Sequence, residues 1–290
     1  MSVDFYEYLR SLIQSHDKTV DETDDDVIRF LNDSVDFDVN YTYSDGNPLL
    51  IIACFYGLPL TVTRLLDNTA INVNAENMHG DTPLIVSSLQ GHDEIVDMLL
   101  KRPDIEVNKK SSYNGNTALT YACERNNRNI IVMLLERHDI DVNNANTLGY
   151  TPISICCQLR NAETVTILLH DSRVDINIPS VNGYTPFMIA CISNDVNIIE
   201  LFLTKRSFSL HQLEITLAVV NREVHEITEA KDILNYEIEH YNIVDQSGAG
   251  LRRTIRKQKR NTIKNKTRRN HKKTKKRTIK NKTRRNQNKN

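Results

Sequence analysis

The chain is 290 residues long, with 39% hydrophobic and 26% charged residues, a composition suited to a soluble globular protein of one or two domains. No run of 18 apolar residues is present, and Asp4, Glu7 and Arg10 stand where a signal peptide needs its apolar stretch, so neither a spanning helix nor secretion is expected and an intracellular protein is. The formal net charge of zero hides a split: residues 251–290 hold 20 Lys or Arg and no acid, leaving 17 basic against 37 acidic residues in 1–250.

In chain order, residues 4–15 and 25–33 read as two helices with Leu9, Leu12, Ile28 and Leu31 facing inward. The acidic run Asp21–Asp26 reads as a solvated link between them. They stand in the place of a degenerate repeat closing at Val39-Asn40, so residues 1–39 form an atypical N-terminal helical cap.

From residue 40 to 205 the sequence repeats itself. Five segments begin alike, at Gly46, Gly80, Gly115, Gly149 and Gly183, with spacings of 34, 35, 34 and 34 residues. Two further anchors keep phase. One is Leu65-Leu66, Leu99-Leu100, Leu134-Leu135, Leu168-Leu169 and Phe202-Leu203; the other is an apolar–Asn pair ending at Asn40, Asn74, Asn108, Asn143 and Asn177. Within a unit, Thr82, Thr117, Thr151 and Thr185 are placed to cap a short helix, with Pro83, Pro152 and Pro186 at its first position, where a missing N–H costs nothing. Small residues (Ala53, Ser87, Ala122, Cys156, Ala190) fill that helix, and Gly57 or Gly91 ends it in a left-handed conformation. A second helix follows, its apolar residues at helical spacing, as in Ile95, Val96, Leu99 and Leu100.

Residues 80–108 resemble the ankyrin repeat, G-x-TPLH-x-A…G-H-x-E-I-V-x-x-LL…DVN. The resemblance implies an all-α solenoid of helix–turn–helix repeats joined by hairpin loops, five regular units over 40–205, and binding of a protein rather than catalysis. The family's His after Thr-Pro-Leu is absent from all five units. Asn126, Arg160 and Asn194 replace the helix-ending Gly, and Arg160 is expected to be strained there, making the fourth repeat less regular. Carried onto these positions, the family's concave partner-binding face takes Ser44, Asp45, Asn47, Phe55 and Tyr56 from the first unit, and Met78, His79, Asp81, Leu89 and Gln90 from the second. The third supplies Tyr113, Asn114, Asn116, Glu124 and Arg125, the fourth Thr147, Leu148, Tyr150, Gln158 and Leu159, and the fifth Val181, Asn182, Tyr184, Ile192 and Ser193.

Little in the chain points to chemistry. Cys54, Cys123, Cys157 and Cys191 share one repeat position, but a helix-packing distance of about 8–10 Å between neighbours is too long for a disulfide or a shared zinc, so they read as small buried filler. The recurring Asn residues read as side chains tying up turn backbone. His79 and His92 have no metal-ligand neighbours, and no phosphate loop, GxSxG or HExxH is present, so no cofactor, metal or catalytic residue is expected.

Residues 206–245 read as C-terminal capping helices over 210–222 and 225–241, with Ile215, Leu217, Ala218, Ile227, Ala230, Ile233 and Leu234 packing on the fifth repeat. Beyond them, 246–290 is a disordered basic tail containing NTIKNKTRRN from Asn261 and RTIKNKTRRN from Arg277. Its cations include Arg252, Arg253, Arg268, Arg269, Lys272 and Lys273, and then Lys275, Lys276, Arg277, Arg284 and Arg285. They read as a nuclear or nucleolar signal, as nonspecific RNA or DNA contacts without stacking, or as a clamp on the acidic body. The expected protein is therefore a monomeric, non-enzymatic scaffold with no membrane contact. The alternatives are a nucleic-acid binder assisted by its repeats and a ubiquitin-ligase adaptor, although residues 208–241 carry no F-box-like motif of the kind found in poxvirus ankyrin proteins. An Asn-, Ile- and Lys-rich composition joined to this array resembles the ankyrin-repeat proteins of giant DNA viruses and some protists.

Overall fold

A computed structural model of the chain describes Glu7, Arg10, Ser11 and residues 19–33, 37–205, 208–224 and 228–247, with side chains as far as Tyr241. The rest of the expected helix 4–15, including Leu9 and Leu12, lies outside the described residues, as do Ile227 and all of 251–290. The described residues hold thirteen helices and no strand, and no helix among them is long and apolar enough to cross a membrane. The chain divides into two compact units between Lys205 and Arg206.

The first unit starts with α1 (Val20–Asn32) and continues as five helix pairs. These are α2 (Leu49–Tyr56) with α3 (Pro59–Leu66), α4 (Pro83–Gln90) with α5 (Asp93–Leu100), α6 (Ala118–Arg125) with α7 (Arg128–Glu136), α8 (Pro152–Gln158) with α9 (Ala162–His170), and α10 (Pro186–Ile192) with α11 (Val196–Lys205). First helices pack on first helices, so α2, α4, α6, α8 and α10 form one row; in the other, α1, α3, α5 and α7 pack in succession and α9 packs on α11, with Arg128 of α7 paired to Glu163 of α9. Helices of seven to ten residues are too short to persist alone; stacking supplies their stability. The first row is buried almost all round, as at Pro83 to Ser88 of α4, and its five small residues from Ala53 to Ala190 are wholly buried. The second row is amphipathic: α5 buries Ile95, Val96 and Leu99, each contributing about 1.5–3 kcal/mol, and turns Asp93, Glu94 and Asp97 outward.

The caps follow the sequence with two departures. Thr82, Thr117 and Thr185 accept the amides of Ile85, Thr120 and Met188 at 3.3, 3.2 and 3.4 Å. Thr151 holds the same place, but its hydroxyl pairs with Ser154 Oγ at 3.0 Å, and Pro48 stands there in the first pair with no side chain to offer. At the other end of these helices, Gly57, Gly91, Asn126, Arg160 and Asn194 all have φ between 53° and 84°. A left-handed conformation costs an L-residue about 1–2 kcal/mol. Arg160→Gly should therefore raise stability by about 1 kcal/mol in urea unfolding; an unchanged midpoint would show that Arg160 is not strained. Arg160 does not set the fourth repeat apart, since α8 and α10 both have seven residues although α10 is followed by Asn194.

The acidic run is a correction. Asp21–Asp26 is not a link but the first half of α1, opened by a capping box in which Thr19 Oγ1 accepts the Glu22 amide (3.3 Å) and Glu22 Oε2 accepts the Thr19 amide (3.0 Å). Asp21 and Glu22 sit where the helix dipole favours negative charge. Asp24 is buried and accepts the Leu60 amide (2.7 Å), the Thr61 amide (2.8 Å) and the Thr61 hydroxyl (2.5 Å), so it caps α3, whose own N-cap residue Leu58 has no capping side chain. The inward face of α1 is Val27 and Leu31; Ile28 is only half-buried, because Asp24, Val27 and Leu31 set the helical phase.

Two ladders join successive repeats. Asn40, Asn74, Asn108 and Asn143 each donate from Nδ2 to a carbonyl of the next repeat (Ala70, Asp104, Asp139, Arg173; 2.7–2.8 Å). Each also accepts, on Oδ1, an amide from that same turn, at Asn72, Glu106, Asp141 and Asp175. The expected tie to turn backbone is present, and the turn belongs to the neighbour. In the second ladder Arg102, Arg137 and Arg173 reach back to Leu66 O, Leu100 O and Leu135 O at the ends of α3, α5 and α7, where carbonyls lack helical partners and positive charge suits the dipole. Asp104, Asp139 and Asp171 hold those guanidinium groups, and the resulting hydrogen bonds keep their carboxyls below the usual carboxylate range.

Cys54, Cys123, Cys156, Cys157 and Cys191 are free and buried, and burial pushes the thiols of Cys54, Cys156, Cys157 and Cys191 upward, away from the reactive thiolate. Ser88 holds the repeat position of Cys54, Cys123, Cys157 and Cys191, and its buried hydroxyl has no hydrogen-bond partner. Ser88→Cys should therefore raise stability by about 1 kcal/mol in urea unfolding, whereas a loss would mean that the hydroxyl is satisfied after all.

In the second unit α12 (Leu210–Glu223), opened by a Ser209–Gln212 capping box, packs against α13 (Glu229–Ser247). Ala230, Ile233 and Leu234 are buried, whereas Ile215 and Ala218, also assigned inward by the sequence, are exposed and Leu217 is half-buried. Leu213, Thr216 and Val220 form the buried face of α12 instead, at the i, i+3, i+7 spacing of a single helical stripe.

Candidate functional site

The candidate surface is built from the hairpins between helix pairs. In each, a short side chain folds the turn: Asp45 Oδ1 accepts the Asn47 amide, Asn77 Oδ1 those of His79 and Asp81, Asn114 Oδ1 that of Asn116, and Asn146 Oδ1 those of Leu148 and Tyr150. Ser180 Oγ does the same for Tyr184. Backbone bonds then join one tip to the next, from Ser112 N to His79 O (2.7 Å), Thr147 N to Asn114 O (2.9 Å) and Val181 N to Leu148 O (3.0 Å). The tips thus form a row at fixed spacing.

The row is apolar and open to solvent. Met78, Tyr113, Leu148 and Val181 are 73%, 78%, 60% and 75% exposed, although nothing in a folded hairpin requires a large apolar side chain to face water. The rings of His79 and Tyr113 meet edge to face at 6.2 Å across two tips. A second line runs along the ends of the first-row helices. Phe55, Gln90, Glu124, Arg125, Gln158 and Leu159 are exposed there, while Tyr56, Leu89 and Ile192 are half-buried. Phe55 and Tyr56 pack edge to face at 5.1 Å.

Other residues expected on this face are partly committed to the fold. Asn116 is buried, donating to Glu124 Oε2 (3.4 Å) and accepting from Asn146 Nδ2 (3.1 Å), so it is a structural contact rather than a surface one. Asn114 ties down the Tyr121 hydroxyl, and Asp45 pairs with Arg10 and caps its own turn. Asp81, Tyr150 and Tyr184 are half-buried. Tyr121, on α6, was not legible as part of the surface because it lies inside the helix pattern; its ring is mostly buried with the hydroxyl bonded to Asn114. Burial, with the negative charges of Asp81 and Glu124 adding, raises its pKa above the usual tyrosine value. His92 packs over Gly57, with Nε2 3.3 Å from Phe55 O. Among the described residues no group of three His, Cys, Asp or Glu is placed to hold a metal. The tail cations from Arg252 to Arg285 lie outside the described residues.

Stacked helix pairs, a hairpin per pair and a polar ladder along the turns are the marks of one repeat family, and comparison with known families agrees. A model described as ankyrin repeats (3 copies) matches residues 19–111 and 103–180, and one described as ankyrin repeat matches 182–212. The chain belongs to the ankyrin-repeat family. The first match opens at Thr19, the cap of α1, so it takes in α1 together with the first two helix pairs. Among curated proteins, human Rabankyrin-5 is 41% identical over 64 residues, 22% of this chain. The matched segment is 5% of Rabankyrin-5, so the likeness is one of repeats.

Proposed function

We propose that this ankyrin stack is a non-enzymatic, monomeric scaffold that holds a partner protein against its hairpin tips and the neighbouring ends of the first-row helices. The carrying observation is the row of exposed apolar residues, Met78, Tyr113, Leu148 and Val181, one on each tip of repeats two to five, whose backbones are bonded tip to tip. Aromatic and Met side chains at fixed positions suit an interface because they contribute large contact area with little freedom to lose. Comparing proteins captured by the full chain with those captured by a Tyr113→Ala, Leu148→Ala variant tests it. Specific partners should be lost from the variant, and partners retained equally by both would argue against this face.

The charge split favours a second role for the tail. Twenty cations without an acid in residues 251–290, on a body carrying 37 acids against 17 bases, support nuclear or nucleolar targeting, or sequence-independent contact with RNA or DNA phosphates. Removal of residues 251–290 is expected to abolish nuclear enrichment. Were nucleic acid the main ligand, affinity would fall steeply with salt and the slope would vanish with the tail. The Asn-, Ile- and Lys-rich composition supports an origin in an AT-rich genome, such as a giant DNA virus or a protist.

A further inference from the structure

The middle of the hairpin face carries two carboxylates that the fold leaves without a cation. Asp81 Oδ1 is enclosed by protein and accepts no hydrogen bond. Glu124 is exposed and accepts one long bond, from Asn116 Nδ2 at 3.4 Å. Neither has an ion-pair partner among the described residues, whereas Asp45, Glu76, Asp104, Asp139 and Asp171 each have one. Asp81 closes the second hairpin, Glu124 is held by Asn116 of the third, and the two hairpins are joined by the Ser112 N–His79 O bond at 2.7 Å, which sets both carboxylates between the second and third repeats. Met78 and Tyr113 stand exposed on the tips of the same two repeats, with Leu148 on the next.

The backbone of these tips has little left to offer. At His79 and Leu148 both amide and carbonyl are engaged, the amides by Asn77 and Asn146 side chains and the carbonyls by the next hairpin, so a partner strand cannot extend the row by backbone pairing. Recognition falls to side chains. We propose that the face of repeats two and three receives a segment of a partner protein that lays an apolar side chain against Met78, Tyr113 and Leu148 and beside it presents an arginine or lysine to Asp81 and Glu124. This rests on the scaffold reading above and adds the chemistry of the partner. An arginine fits best: its fork can bond two carboxylates, and its plane can lie on the open Tyr113 ring. An acidic segment would instead meet like charge in a partly dry site.

A phage-displayed library of random twelve-residue peptides, selected on the full chain, tests this, followed by anisotropy titration of the best peptide and its Arg/Lys→Glu analogue. The selected sequences should combine an apolar residue with a nearby Arg or Lys. Asp81→Asn with Glu124→Gln, which preserves shape, should weaken binding at least tenfold. Glu94→Gln with Glu136→Gln, the same charge change on exposed residues of α5 and α7, should leave it within twofold. The analogue, which requires no change in the protein, should lose at least tenfold as well. Acidic or uncharged selections, or equal binding to the Asp81/Glu124 variant, overturn the cationic partner; if Tyr113→Ala with Leu148→Ala still abolishes binding, the hairpin-face reading stands without it. Peptides that bind every variant alike overturn both. Sedimentation showing self-association that Tyr113→Ala removes would assign the face to a second copy and also overturn the proposal.

Discussion

Replacing Asp24 by alanine is expected to lower stability by about 2–3 kcal/mol and to release α1 before the rest of the stack unfolds. The size follows from what one carboxylate satisfies. Its oxygens accept two amides at the start of α3 and the Thr61 hydroxyl, all at 2.8 Å or less, in a buried site. Hydrogen bonds to a charged group contribute about 1.5–3 kcal/mol, and a helix-capping side chain about 0.5–2 kcal/mol. The contributions overlap because the same atoms make both. Asp24→Asn keeps the shape but turns one acceptor into a donor facing other donors, so roughly half of the loss should remain. In a linear array each repeat is stabilised by its neighbours, and α1 touches the stack chiefly through α3. Hydrogen exchange should therefore show the amides of α1 losing protection first in Asp24→Ala, while α4 to α11 keep theirs. Uniform loss along the whole unit would mean that Asp24 is not a local clasp.

Asp24 also shows where the sequence could and could not be read. The five regular units were legible because three anchors recur in phase, and recurrence needs no knowledge of contacts. The N-terminal helix was misjudged because seven polar residues in Thr19–Asp26 look solvated when charge is counted and distance is not. Thr19 and Glu22 have capping-box spacing, yet Asp24 is buried by a segment 36 residues away, which no local pattern announces. Ile215 was assigned inward for a similar reason. Val220 and Leu213 define a stripe that excludes it, but an apolar side chain gives no phase until its neighbour is known. The arginine ladder escaped notice because its partners are carbonyls, which every residue has. On the hairpin face the positions follow from the repeat, whereas their availability does not: Asn116 and Asp81 occupy equivalent places, and one is buried in a hydrogen-bond network while the other keeps an unpaired oxygen.

That face is held by its glycines, and two of them separate strain from contact. Gly149 has φ of +75° and Gly183 φ of +80°, so alanine at either pays a similar conformational penalty of about 1–2 kcal/mol. A methyl on Gly149 would stand 2.7 Å from Val181 N, the amide that bonds Leu148 O and joins the fourth tip to the fifth, whereas a methyl on Gly183 would meet nothing within 4 Å. Gly149→Ala should therefore cost about 3–4 kcal/mol, adding to the conformational term the overpacking strain of about 1–3 kcal/mol expected where backbone must move, and Gly183→Ala only the conformational part. Urea unfolding gives the difference, and equal losses would show that the tips are not in close contact. The same pair bears on binding. Moving Val181 away from Leu148 spoils the spacing of the apolar row, so any ligand spanning the fourth and fifth tips should lose affinity in Gly149→Ala beyond its loss in Gly183→Ala, measured where both variants remain folded. A ligand confined to repeats two and three, against Met78 and Tyr113, should bind both variants alike.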